Sequence, residues 1–181
     1  MEFGRLFTQH ARLLWVVAAA YVPRSLVEDV VQESAVTALA RLQSFEVGTD
    51  FRAWMAQIVR FTAANAARTR TRALRLAPLI DEPIASTPAD ATAVRPDGRL
   101  RDAQDAFDDR VVAALADLSD DARACLLLKT VLDLAYADIA ATLQIREGTV
   151  ASHVHRARET LRDRLARTAA AEAEASRRTT R

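Results

Sequence analysis

Apolar residues recur at helical spacing near the start of the chain and predict two helices. The first covers residues 3–22, and Pro23 ends it because proline cannot continue the backbone hydrogen bonds of a helix. Ser25 then stands where it can cap the second helix, from Leu26 to Leu42. The predicted core positions of the first helix are Leu6, Phe7, Leu13, Leu14 and Val17. Those of the second are Val27, Val30, Val31, Ala35, Ala38, Leu39 and Leu42.

A loop around Gly48 precedes a third predicted helix, which runs from Phe51 to about Arg72. Asp50 lies just before this helix, where a carboxylate can accept hydrogen bonds from the first free amides. One side of the helix carries Trp54, Ile58 and Phe61, and arginines occupy the other side. We therefore expect the aromatic side of this helix to face a core.

Helical spacing is lost between Leu76 and about Asp102, where prolines fall among short polar residues. Such a composition predicts a flexible linker. Helical spacing returns near Asp105, and Ser119 is placed to cap a helix from Ala122 to Leu132. The residues expected to face inward before that cap are Phe107, Val111, Val112, Leu115 and Leu118. The polar end of the chain, from residue 168, predicts a disordered tail.

The stretch from Tyr136 to Arg158 has the pattern of a helix-turn-helix, two short helices joined by a tight turn. The apolar face of its first helix consists of Ile139, Ala140 and Leu143. That of its second helix consists of Val150, Val154, Ala157 and Leu161. Short hydrogen-bonding residues and a cation lie between these positions, and such side chains suit a helix that reads a DNA groove.

The composition fits an all-α protein, because only 4 Gly and 5 Pro interrupt a chain that is 50% hydrophobic. We predict two small helical domains, residues 1–75 and 105–167, joined by a flexible acidic linker, 76–104, and followed by the tail 168–181. The net charge of +1 hides a strong segregation, since residues 51–80 hold six arginines and no acid. Residues 81–121 hold eleven acids and four arginines. This asymmetry favours nucleic-acid contact by one part of the chain.

The remaining composition excludes several kinds of protein. The single cysteine, Cys125, allows no intramolecular disulfide and is expected to be a plain buried thiol. No apolar stretch approaches the roughly 18 residues of a membrane span, and no signal-peptide pattern is present, so we expect a soluble cytoplasmic protein. His153 and His155 are two residues apart and diverge on a helix, so no metal site is expected. No cofactor-binding loop or catalytic set is recognised.

Three motifs in order carry a resemblance to bacterial sigma factors of the extracytoplasmic-function (ECF) type. They are Val27–Glu33, Asp50–Arg60, and the helix-turn-helix with Tyr136–Ala140, Glu147–Val150 and His155–Arg158. Their order matches regions 2 and 4 of the sigma-70 family, and the resemblance covers roughly residues 3–72 and 105–166. It implies a non-enzymatic promoter-specificity subunit, which binds core RNA polymerase, recognises −10 and −35 promoter elements and assists strand opening.

The resemblance assigns roles to three sets of residues. Those expected to dock on the largest subunit of the polymerase are Asp29, Gln32 and Glu33, which share a helix face. Those expected to contact the −10 element are Gly48, Thr49, Arg52, Arg60, Asn65, Arg68, Arg70 and Arg72. Those expected to contact the −35 element are Arg146, Glu147, Gly148, Thr149, Ser152, His153, Arg156 and Arg158. Trp54 is expected to pack in the core, with base stacking as the alternative.

Several positions depart from the family pattern. Phe61 and Asn65 stand where Asn and Asp are typical, so the −10 preference is not predicted. Ala135 replaces a serine cap, and Gln144 replaces a turn glycine at a cost of about 1 kcal/mol if its φ is positive. Ala151 and His153 replace Lys and Arg, so we hypothesise weak −35 binding.

Two further readings remain open. The chain could be a standalone helix-turn-helix regulator whose N-terminal domain dimerises or senses a signal, or a degenerate sigma-like protein that acts by protein contacts. By resemblance, the acidic linker would pass through basic channels of the polymerase. Many family members are inhibited by an anti-sigma factor that clamps both domains, and nothing in the sequence identifies one.

Overall fold

The elements that the structure describes are helices, in agreement with the predicted all-α fold class. This computed structural model describes residues 3–46, 48–76 and 103–179. The helices in these ranges are α1 (Phe3–Tyr21), α2 (Arg24–Ala40), α3 (Phe51–Leu76), α4 (Ala103–Ala116), α5 (Asp120–Val131), α6 (Tyr136–Leu143) and α7 (Glu147–Thr179), with a 3-10 turn at Leu42–Ser44. Most of the predicted linker, residues 77–102, lies outside the described part of the chain.

Capping residues determine where two of these helices begin. Asp50 Oδ1 accepts the backbone N–H of Arg52 at 2.9 Å and that of Ala53 at 3.3 Å, at the start of α3. Ser119 Oγ accepts the N–H of Ala122 at 3.4 Å, at the start of α5. Both caps were predicted, but the cap predicted at Ser25 is wrong. Helix α2 starts directly after Pro23, whose φ of −63° already suits a helix entry, and no side chain caps it.

Packing divides the chain into two units whose segments alternate along the sequence. The larger unit joins Met1–Arg72 with Ser119–Arg158, and the smaller joins Ala73–Leu118 with Glu159–Arg181. The larger unit therefore contains α1, most of α3 and the predicted helix-turn-helix together. The division into a −10 domain and a −35 domain concerns function and stays a prediction.

The core of the larger unit is built from the apolar faces of several helices. Helix α1 packs against both α2 and α5, and α5 contacts α6. Large side chains that are fully buried there include Leu14, Val17, Val27, Met55, Val59, Leu128, Ile139, Leu143, Val150 and Val154. Burying an aliphatic side chain of this size contributes about 1.5–3 kcal/mol, so the predicted helix-turn-helix is fixed to the core by its own apolar face.

The buried face of α3 differs from the predicted one. Phe61 is 63% exposed, and the stripe that enters the core instead carries Met55, Ala56, Val59 and Ala63. The two alanines are small enough to let neighbouring helices approach closely, which a ranking by side-chain size does not anticipate. Trp54 is half-buried against Phe45, with ring centroids 5.0 Å apart, so it packs as expected.

Two other apolar residues predicted to face inward are exposed. Leu39 of α2 is 53% exposed and Val112 of α4 is 65% exposed. In α4, the small residue Ala114 is fully buried and Leu118 closes the buried face after the helix. The side chain of Phe107 lies outside the described residues. Helical periodicity identified these elements, but it did not fix the edge of the buried stripe.

The smaller unit shows that α7 continues as a helix to Thr179, through most of the segment for which the sequence predicts a disordered tail. Alanine, glutamate and arginine dominate this segment and have high helix propensities. Two ion pairs join α7 to the preceding elements of the same unit. Arg164 Nε lies 2.8 Å from Asp117 Oδ2, and Arg110 Nη2 lies 2.6 Å from Glu172 Oε2.

Candidate nucleic-acid interface

The turn between α6 and α7 has the backbone of a helix-turn-helix without its usual glycine. Gln144 ends α6 in the left-handed region, with φ of 53° and ψ of 47°. The N–H of Ile145 then donates to the carbonyl of Ala140 at 3.1 Å and closes the turn. The φ of Gln144 is therefore positive, and a residue other than glycine is expected to cost about 1 kcal/mol at this position. Ala135 precedes α6 without a side-chain cap, as the sequence indicates.

The first turns of α7 present polar residues to solvent. Val150, Val154 and Ala157 are buried on the opposite side of the helix. The exposed residues of the predicted −35 set are Arg146, Glu147, Gly148, Thr149, Ser152, Arg156 and Arg158, and His153 is half-buried. This pattern leaves one continuous polar face on a helix whose other face is fixed, which is the arrangement that groove reading requires.

Some donors on this face are already engaged within the helix. Ser152 Oγ donates to the carbonyl of Gly148 at 2.9 Å, and Arg156 Nε donates to that of Ser152 at 3.3 Å. The N–H of Thr149 donates to the carbonyl of Arg146 at 2.9 Å. A phosphate was expected to bind the backbone amides of Glu147–Thr149. Because the amide of Thr149 is engaged, the expected phosphate contacts are those of Glu147 and Gly148.

Part of the predicted −10 set is also exposed. Gly48 has a φ of 101°, which allows the chain to turn sharply before α3. Thr49 closes this turn, because its Oγ1 donates to the carbonyl of Glu46 at 2.7 Å. Further along α3, Asn65 Oδ1 accepts a hydrogen bond from Arg68 Nη2 at 2.5 Å. Arg68, Arg70 and Arg72 are exposed on a stretch of helix that carries no acid.

Arg52 and Arg60, also predicted to contact the −10 element, are engaged with residues of other helices. Arg60 Nη2 lies 2.8 Å from Asp121 Oδ1, its Nε donates to the hydroxyl of Tyr21 at 3.0 Å, and its Nη1 donates to the carbonyl of Leu143 at 3.1 Å. Arg52 Nη2 lies 3.4 Å from Asp138 Oδ1. The structure thus separates the predicted −10 set into exposed and engaged arginines.

Burial and neighbouring charges shift the pKa values of the groups around Arg60. Burial raises the pKa of Tyr21, and the hydrogen bond to Asp121 raises it further. Burial alone would lower the pKa of Arg60, but Tyr21 and Asp121 raise it overall. Burial also raises the pKa of Cys125 to about 12, with Asp121 adding to the effect. Cys125 is therefore the inert buried thiol expected from its apolar neighbours.

Sequence reasoning did not find Tyr21, Gln57 or Asp121. Tyr21 donates to Asp121 Oδ1 at 2.8 Å, and Gln57 Nε2 donates to the buried carbonyl of Thr142 at 3.0 Å. The partners are 100 and 85 positions apart in the chain. No local pattern signals a pairing at such distances, so only the fold reveals it.

The residues predicted to bind the polymerase share one exposed face of α2. Asp29, Gln32 and Glu33 are all exposed, and Gln32 Nε2 donates to Glu28 Oε1 at 3.2 Å. The same face continues with Val36, 68% exposed, and Leu39, 53% exposed. An acidic patch followed by an apolar one suits a partner helix that carries both cations and apolar side chains.

The described residues hold neither a membrane-spanning helix nor a group that suits a metal. Over the ranges given above, no helix is long and apolar enough to cross a bilayer. Within the same ranges, no three His, Cys, Asp or Glu side chains cluster as metal ligands would.

Comparison with known proteins identifies the family. Sigma-70 region 2 matches residues 6–73, and Sigma-70, region 4 matches residues 108–161. ECF RNA polymerase sigma factor SigC of Mycobacterium tuberculosis is 30% identical over 138 residues, which cover 74% of this chain and 67% of that protein. The chain belongs to the ECF sigma factors.

One more relative and two solved structures extend the likeness. SigE of Mycolicibacterium smegmatis is 33% identical over 140 residues, covering 77% of this chain and 52% of that relative, so the match spans about half of the relative's length. The sigma factor RpoE of Bartonella quintana, solved in complex with the anti-sigma factor NepR, has a TM-score of 0.63 and 28% identity and covers 91% of this chain and 96% of its own. CnrH, solved with the cytosolic domain of CnrY, supports the fold alone, with a TM-score of 0.61 and 23% identity.

Proposed function

We propose that this ECF sigma factor binds core RNA polymerase, recognises the −10 and −35 elements of a promoter and assists strand opening. The observation that carries the proposal is the polar face of α7, presented to solvent by a helix whose other face is buried through Val150 and Val154. The match to region 2 as well as region 4 favours this function over a standalone helix-turn-helix regulator. The subunit needs no catalytic residue and no cofactor of its own, and it would act in the bacterial cytoplasm.

For the −35 element, we assign different tasks to the residues of α7. The guanidinium groups of Arg146, Arg156 and Arg158 suit phosphates, which position the helix on the duplex. Thr149 and Ser152 are short and exposed near the start of the helix, so they suit base edges or phosphates. Glu147 and Gly148 contribute backbone amides at the positive end of the helix.

For the −10 element, we assign the loop at Gly48 and Thr49 to a pocket for an unstacked base. Arg68, Arg70 and Arg72 follow on the exposed, acid-free part of α3 and would track the displaced strand by its phosphates. Asn65 would act with Arg68, to which it is hydrogen bonded. Arg52 and Arg60 would join them once released from their present partners.

We assign the exposed face of α2 to core polymerase. Asp29, Gln32 and Glu33 would meet basic side chains of the largest subunit, and Val36 and Leu39 would extend the contact over an apolar area. Complementary charge at such a surface governs association rate and specificity.

An anti-sigma factor is a further candidate partner. The sigma factor RpoE of Bartonella quintana, which is similar to this chain, was solved in complex with the anti-sigma factor NepR. The likeness to RpoE covers 91% of this chain. This overlap supports an equivalent protein partner.

Run-off transcription from a promoter library tests the proposal. The full chain and core polymerase together should give transcripts from specific templates, and neither alone should. Glu33→Lys should weaken binding to core polymerase about tenfold, because it reverses a charge on the docking face. Glu46→Lys makes the same change on an exposed residue off that face and should have little effect. DNA binding by the chain alone as a dimer, with no transcripts, would contradict the proposed function and favour a standalone regulator.

A further inference from the structure

In the larger unit, a polar cluster joins α3, which carries the proposed −10 contacts, to α1 and α5, and α5 packs on the first helix of the helix-turn-helix. We call this cluster the latch and define it as Tyr21 of α1, Arg60 of α3 and Asp121 of α5. Arg60 Nη2 contacts both carboxylate oxygens of Asp121, at 2.8 and 3.1 Å, and Tyr21 donates to the same carboxylate at 2.8 Å. Each group is at least partly removed from water, and charge-assisted bonds of this kind are among the stronger ones in proteins.

Further hydrogen bonds join α1 or α3 to α5 or α6, and we call these contacts together with the latch the seam. Gln57 donates to the carbonyl of Thr142 at 3.0 Å in a buried setting. Arg123 Nη1 donates to the carbonyl of Ala20 at 2.6 Å. Arg12 Nη2 donates to that of Val131 at 3.3 Å. Polar side chains thus donate to three backbone carbonyls of facing helices, and the one in the buried setting, Gln57, has its partner as buried polar groups do.

A promoter cannot be read in this arrangement. The −10 and −35 elements are about 25 base pairs apart, which is roughly 85 Å of B-form DNA. A globular unit of about 110 residues has a radius of gyration of roughly 13 Å and hence a diameter of roughly 35 Å. Both proposed readers lie inside one such unit. They must therefore separate before they can occupy both elements at once.

We propose that the latch holds the free sigma factor in a closed state that withholds Arg60 from DNA, and that promoter engagement with core polymerase requires it to open. This inference rests on the proposed function, because it concerns the regulation of the same DNA-binding residues. Asp121 takes the place of a phosphate as the partner of Arg60. Opening exchanges one anionic partner for another, so the guanidinium is never left buried and unpaired.

Asp121→Asn tests the latch without altering any residue assigned to DNA or polymerase. Asp120→Asn is a matched control, because it removes the same charge from the same helix turn, while the ion pair of Asp120 is with Arg123 of its own helix, at 3.4 Å. Two spin labels on the full chain, at Ala19→Cys and Ala141→Cys in a Cys125→Ala background, report the separation of α1 and α6. Both labelled positions are exposed.

The latch predicts a longer and broader label distance in Asp121→Asn than in the parent and Asp120→Asn. It also predicts that the free Asp121→Asn chain binds forked −10 DNA about tenfold more tightly, as expected for releasing a charge-assisted hydrogen bond. Tyr21→Phe, a milder change that keeps every charge, should move both readouts in the same direction. Circular dichroism checks that each variant remains folded.

Unchanged distances and unchanged DNA affinity in both Asp121→Asn and Tyr21→Phe would overturn the proposal. A longer distance without tighter DNA binding would overturn it as well, because the closed state would then withhold nothing. Transcription with core polymerase is scored separately in the parent chain. If no transcript forms there, the proposed function fails, while the label distances still decide whether the latch exists.

Discussion

At the scale of single residues, Gln144 has a strained backbone conformation. Its φ of 53° lies in the left-handed region, where a Cβ is unfavourable and glycine is not. We expect Gln144→Gly to raise the free energy of unfolding by about 0.5–1 kcal/mol, because it relieves this strain at an exposed position. Urea denaturation followed by circular dichroism measures the change.

Gln43→Gly supplies the control for that measurement. Gln43 is also exposed in a turn, but the described non-glycine residues with positive φ are Asp133 and Gln144. Glycine should therefore lower stability at Gln43, through the greater entropy of the unfolded chain. Equal effects at both positions would show that backbone strain at Gln144 is not the cause.

At the scale of elements, α7 has fewer fixed positive charges than its resemblance to ECF sigma factors leads us to expect at residues 151 and 153. Ala151 and His153 lie half-buried at the edge of the exposed face, where long basic side chains could extend to phosphates. We expect Ala151→Lys/His153→Arg to tighten −35 binding and to steepen the dependence of log affinity on log salt by up to about two units, roughly one for each added contact. Fluorescence anisotropy over a salt series measures both quantities.

Ala40→Lys/Gln43→Lys adds the same charge to exposed positions outside α7 and separates contact from bulk charge. If it changes the slope as much as the α7 variant, the added charges act only through the general field. An unchanged slope of log affinity against log salt in the α7 variant would contradict the hypothesis of weak −35 binding.

The elements themselves were predictable, because apolar spacing and capping residues are local signals. The caps at Asp50 and Ser119 and the buried face of the helix-turn-helix follow from residues within a few positions of each other. The face of α3 was not predictable in the same way. Met55 and Val59 are buried and Phe61 is exposed because neighbouring helices accept the alanine-rich stripe, and that choice is made by packing.

At the scale of the whole molecule, the family and its proposed sites could be inferred from motif order, but the seam could not. Arg60 was predicted as a DNA contact, and its pairing with Asp121 joins residues 61 positions apart. The pattern of charges along the chain indicates which residues can form ion pairs. It does not indicate which distant partner each of them meets in the fold. The same arginine therefore has a predicted role from its motif and an observed partner from the fold.

Cys125 allows the stability of the larger unit to be tested against pH. Its side chain is fully buried in α5, which packs on α1, and burial raises its pKa from 9.0 to about 12. Because the folded-state pKa is the higher one, the neutral thiol contributes its full stability below about pH 9. That contribution is lost as the pH rises from there toward 12. We expect it to fall by about 1.4 kcal/mol per pH unit in this window.

Chemical denaturation of the parent and of Cys125→Ala between pH 8 and 10.5 isolates this effect from other alkaline titrations, which both proteins share. The stability advantage of the parent should shrink above pH 9, because only the parent has a thiol that must stay protonated in the folded state. Val154→Ala removes buried volume without a titrating group, so its cost should not change with pH. Each variant is compared with the parent by its difference in free energy of unfolding. If the differences for Cys125→Ala and Val154→Ala run parallel across the pH range, the raised pKa of Cys125 does not contribute to the folding equilibrium. A shrinking difference for Cys125 alone would show that α5 stays packed until the whole unit unfolds.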